Sequence, residues 1–79
     1  MKTLSVQLKE WRDRAQLSQA QLAEQVGVTQ SSVSLWESGG RIKLNRLSRL
    51  IEALGLTETE SGLLRLEVIA LYEAARPAA

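Results

Sequence analysis

Apolar residues recur at helical spacing from Leu4 to Tyr72, and glycines or helix-capping residues break that periodicity at short intervals. A chain patterned this way folds as a set of short helices. Leu4, Leu8, Trp11 and Ala15 share one face of a first helix that starts after Thr3 or Ser5. Ser18 and Gln21 have the spacing of a capping box, so a second helix begins at Gln19, turns Leu22, Ala23 and Val26 inward, and stops at Gly27. Thr29 is placed to cap a third helix, Gln30 to Ser38, with Val33 and Trp36 inside, and the Gly39-Gly40 pair ends it. Asn45 is expected to cap a fourth, whose inward residues are Leu47, Leu50, Ile51 and Leu54 and which closes at Gly55. Thr57 and Glu60 offer another capping box for a fifth helix reaching Ala75, where Pro77 prevents continuation. Strand signals are absent, because Gly27 and the neighbouring caps interrupt the one β-branched stretch, Val26 to Val33. The expected fold class is all-α, with five helices.

The 79 residues contain no cysteine and no histidine, so disulfides, thiolate or imidazole metal sites and Ser/His or Cys/His catalysis lack their parts. Neither a nucleophile with its base nor a carboxylate cluster suggests an enzyme, and no cofactor is implied. No apolar run approaches a membrane span and Met1 to Ala15 lacks the layout of a secretory signal, which predicts a cytoplasmic protein with no membrane partner. The net charge is only +1, an average that hides a pattern. Residues 1–40 balance four basic against four acidic side chains, whereas residues 41–49 hold Arg41, Lys43, Arg46 and Arg49 with no acid. A short basic run is either a solvated loop or a phosphate-contacting patch.

The segment Gln19 to Ser38, a helix, a tight turn at Gly27 and a second short helix, has the layout of a helix-turn-helix. Ala23 supplies the small residue where the helices cross, and Val28 and Val33 plug the angle between them. That leaves Gln30, Ser31, Ser34 and Leu35 outward on the third helix, or Leu35 in the core if the helix is rotated. Short polar donors beside one leucine are unusual on a plain surface helix but suit the floor of a DNA major groove. Glutamine can bond adenine N6 and N7 together, serine can pair with any base edge, and leucine can pack on a thymine methyl.

The run LSQAQLAEQVGVTQSSVSLWESG, Leu17 to Gly39, resembles the helix-turn-helix of the phage repressor and Cro type, the XRE family, and the likeness extends over residues 4–56. The resemblance implies a five-helix, lambda-repressor-like DNA-binding domain. It implies that Gln30, Ser31, Ser34 and Leu35 read bases, that Gln19 bonds a phosphate and braces Gln30, and that Ser32 lies nearer the DNA backbone. It also implies that Arg12 pairs with Glu37 to fix the third helix against the first, and that the loop cations Arg41, Lys43 and Arg46 contact phosphate. Gly40 departs from the family pattern, standing where many members carry a basic residue.

The fifth helix carries more apolar residues than one inward stripe requires. Leu64, Val68, Leu71 and Ala75 make one face, and Leu63, Leu66 and Ile69 lie around the cylinder from it. Since a small domain covers only one face, the helix is expected to meet a second copy, through Leu64, Val68, Leu71 and Tyr72. The chain is thus divided into a DNA-binding domain, 1–57, and a dimer-contact helix, 58–79. A repressor that binds a palindromic operator as a homodimer is the expected function. The competing expectation is an antitoxin or adaptor that holds a partner protein, such as a toxin, through the last helix.

Overall fold

A computed structural model of the chain describes residues 3–75, with side chains as far as Leu71. Among the described residues there are five α-helices and no strand: α1 (Leu4–Arg14), α2 (Gln19–Val26), α3 (Gln30–Glu37), α4 (Leu47–Leu54) and α5 (Glu58–Ala75). A 3-10 turn, Leu44–Arg46, leads into α4. The fold is all-α and lambda-repressor-like, as the periodicity and the resemblance predict.

Local chemistry explains most of the boundaries. Thr3 caps α1 by accepting from the Val6 amide, and Ser18 and Gln21 complete their reciprocal capping box at the start of α2. Thr57 and Glu60 do the same for α5: the Glu60 amide donates to Thr57 Oγ1 at 3.2 Å and the Thr57 amide to Glu60 Oε1 at 3.0 Å. Asn45 does not cap α4. It lies inside the 3-10 turn, and the Leu47 amide, which a cap would otherwise serve, donates to the Leu44 carbonyl. Between α1 and α2, Gln16 adopts a left-handed φ of 59° while the Leu17 amide donates to the Arg12 carbonyl at 3.2 Å, a helix ending that glycine more often provides. Pro77, the expected stop for α5, lies outside the described residues.

Every helix contributes to one core. Leu8 and Trp11 come from α1, Leu22, Ala23 and Val26 from α2, Val33 and Trp36 from α3, and Leu47, Leu50 and Leu54 from α4. Both tryptophans are core residues, as predicted. Ile42, from the loop before the 3-10 turn, joins them although no helical pattern marks it.

Leu64 and Val68 of α5 complete this core and are almost wholly inaccessible. Two expectations are corrected by that packing. Leu64 and Val68 are buried within their own protomer and so are not available to a second copy. The division at 57/58 also runs through a single hydrophobic core rather than between two units. The exposed large apolar residues of α5 are Leu63, Leu66 and Ile69, together with Leu71, which alone of the expected contact residues with a described side chain lies at the surface. Tyr72 has its side chain outside the described residues. No helix among the described residues is long and apolar enough to cross a membrane.

Candidate nucleic-acid interface

The geometry of α2, α3 and their turn decides what α3 presents to solvent. Gly27 ends α2 at φ 83°, a left-handed conformation that lets the Gly27 and Val28 amides both donate to the Ala23 carbonyl and reverses the chain tightly. Thr29 then opens α3 by accepting from the Ser32 amide at 3.2 Å. α2 packs against both α3 and α4, and α1 packs against α3. With Val33 and Trp36 fixed inside, the helical period turns Gln30, Ser31, Ser34 and Leu35 outward, and all four are exposed. Leu35 is 62% exposed, so it is a surface residue and not a core residue of a rotated helix.

A charged network holds α3 at its angle. Arg12 Nε and Nη2 donate to the two carboxylate oxygens of Glu37 at 2.6 and 3.1 Å, and Arg12 Nη1 donates to the Leu17 carbonyl at 2.8 Å. The Arg12 and Glu37 side chains are only 12% and 6% exposed. Burial pushes the Glu37 carboxyl up, but hydrogen bonds from Arg12 and Gln19 and the positive charges of Arg12 and Lys9 outweigh it, leaving a net lowering. The Glu37 bond in turn raises the Arg12 guanidinium. Both groups therefore stay ionised, and α1, the α1–α2 connection and α3 are tied through one guanidinium. The pairing implied by the resemblance is present. Gln19 joins it differently from expectation: its Nε2 donates to Glu37 Oε1 at 3.2 Å instead of bracing Gln30. Glu37 is the stronger acceptor within its reach, being a carboxylate.

Beside α3 lies a cleft of about 290 Å³, lined by Val28, Ser32, Leu35, Trp36, Gly40, Arg41, Lys43 and Arg46. Three cations of the basic run thus converge on one hollow at the edge of the outward face of α3. Ser32 is half-buried there, with its hydroxyl 3.2 Å from that of Thr29. Arg49, the fourth cation, sits elsewhere: one of its terminal nitrogens approaches Gly27, at the C-terminal end of α2 where carbonyl dipoles favour positive charge. Sequence reasoning missed Ile42, which anchors the loop between Arg41 and Lys43. The alternation basic–apolar–basic at 41–43 is the signal of an extended segment with its middle residue inward.

An uncharged, exposed outer face on a short helix, braced by an ion pair and bordered by clustered cations, is what a helix-turn-helix DNA-binding protein presents to a duplex. A family model for the helix-turn-helix matches residues 8–61. The chain belongs to that family, in its Cro/repressor-type branch, and is a DNA-binding transcription regulator. The family is regulatory rather than enzymatic. Comparison with curated proteins returns no match.

Proposed function

We propose that the chain is a sequence-specific repressor that lays α3 in the major groove and acts by occluding a promoter. The observation that carries this reading is the pairing of an exposed, charge-free α3 face with the cation-lined cleft at its edge. Gln30, Ser31, Ser34 and Leu35 are the base-reading residues, and Arg41, Lys43 and Arg46 hold the adjacent phosphates together with Ser32. Gln19 contributes a phosphate contact as well, since its amide nitrogen carries two hydrogens and Glu37 uses one.

The operator is palindromic and the active form a homodimer, with two copies of α3 about 34 Å apart, one turn of DNA. The surface supporting dimerisation is the exposed side of α5, Leu63, Leu66 and Ile69, which is 45–67% exposed and would otherwise leave a continuous apolar strip in water.

The direct test is selection of duplexes from a randomised pool, followed by affinity measurements on the recovered sequence and its single-base variants. Gln30→Ala is expected to lose about 1–3 kcal/mol on the selected duplex and to discriminate less at one or two base pairs. Equal binding of every duplex by variant and parent would remove Gln30 from the readout.

A further inference from the structure

Gly40 lies where the end of α3 meets the loop that carries Arg41 and Lys43. Its amide donates to the Leu35 carbonyl oxygen at 2.7 Å. A Cβ placed on Gly40 would stand 2.8 Å from that oxygen, 3.1 Å from the Leu35 carbonyl carbon and 3.3 Å from Leu35 Cβ. The nearest atoms are backbone, so no flexible side-chain tip can swing aside. Gly40 is not among the glycines with positive φ. What the position requires is therefore the absence of a side chain rather than an unusual backbone conformation.

Two residues later Ile42 is 6% exposed and sits in the core. Arg41 and Lys43 flank it and are both exposed, and both line the cleft beside α3. Exposure alternates along the segment, Ile42 inward and its two neighbours outward. The loop is thus pinned at two points, one against the Leu35 carbonyl and one in the core, and its cations are aimed by those pins. Leu35 belongs to both systems, with its side chain in the reading face and its carbonyl under Gly40.

We propose that Gly40 is a positioning residue that sets the spacing between the reading face of α3 and the cations Arg41 and Lys43, so that base and phosphate contacts are made in one register. The inference rests on the DNA-facing assignment of those residues made above. Any side chain at position 40 moves the loop away from α3 until the contact with the Leu35 oxygen relaxes, and the cations move with it. The departure from the family pattern at this position is then a fitted contact.

The test compares the parent, Gly40→Ala, Arg41→Ala, Lys43→Ala and the two double variants. Each is titrated onto a duplex that the parent recovered from a randomised pool, between about 50 and 200 mM salt. Arg41→Ala and Lys43→Ala are each expected to lower the slope of log K against log salt by about 0.9. Gly40→Ala is expected to lower it by about 1–2 and to weaken binding about 5- to 30-fold, the loss of one to two phosphate contacts. Far-UV circular dichroism should retain the helix content of the parent. In the Gly40→Ala background, the cation substitutions should cost less than half of what they cost in the parent.

An unchanged slope in Gly40→Ala, with the cation losses adding in full, would overturn the proposal. A Gly40→Ala chain that does not fold even in the cold would overturn it too, because position 40 would then support the fold itself. If Arg41→Ala and Lys43→Ala leave the slope of the parent unchanged, the phosphate assignment fails first and this inference falls with it.

Discussion

The Arg12 guanidinium serves Glu37 and the Leu17 carbonyl at once, through three nitrogens, in a site where its side chain is 12% exposed. Removing Glu37 leaves that largely buried charge with the Leu17 carbonyl and the exposed Asp13 carboxylate 3.6 Å away, and Glu37→Ala is expected to cost about 3 kcal/mol of folding stability, read as a lower urea midpoint. An unchanged midpoint would mean that the pair orders α3 without stabilising it. The two partners are far apart in sequence, and nothing in the local spacing joins them; the pairing was legible only through the resemblance. Their neighbours Trp11 and Trp36 were legible from periodicity alone, since an aromatic on an apolar helical face has few other places to go. Ile42 and Gln16 were not. Each lies between helices, where burial and backbone conformation are set by elements that the flanking sequence does not describe.

Helix α5 is held to α1 at its base by a fork. Arg14 Nη1 and Nη2 donate to the two Glu60 oxygens at 2.6 and 2.8 Å, and the Glu60 side chain also closes the capping box with Thr57. The Arg14 bonds, with the Thr57 amide next, hold the Glu60 carboxyl at about 2, against an ordinary value of 4.5. The folded chain then binds fewer protons than the unfolded chain across that interval. The stabilisation is complete above pH 4.5 and is lost as the pH falls toward 2. Thermal unfolding over this range should show the parent losing its advantage over Glu60→Gln as the solution is acidified; a constant gap would separate the fork from the acid sensitivity. The capping half of this arrangement was visible as Thr57-x-x-Glu60, because a box is written in four consecutive residues. Arg14 as the partner was not, since finding it requires knowing that α5 returns to the end of α1. The start of α4 failed for a related reason: Asn45 has the right chemistry for a cap, but the 3-10 turn supplies the bond from backbone.

In the whole molecule α5 has two sides with different duties, and the boundary between them is sharp: Leu64 is fully buried and Leu66, two residues on, is 67% exposed. The sequence made the excess of apolar residues plain but not which stripe faces inward, because both stripes have helical spacing. Leu64→Ala is expected to cost about 2–5 kcal/mol of stability. If the proposed dimer forms, Leu66→Asp should leave the fold intact and make the chain sediment as a monomer at concentrations where the parent sediments as a dimer. A parent that is itself monomeric at high micromolar concentration would count against the proposed dimer. The outer face of α3 has another consequence. Among the described residues, the side chains of Gln30, Ser31, Ser34 and Leu35 make no hydrogen bond or ion pair with the rest of the protein and are exposed, so exchanging them should alter stability by no more than about 0.5 kcal/mol. If these four side chains read bases as proposed, a duplicated copy of the chain can change its target sequence step by step without passing through an unstable ancestor. On the proposed assignment, the address is held by residues on which the scaffold does not depend.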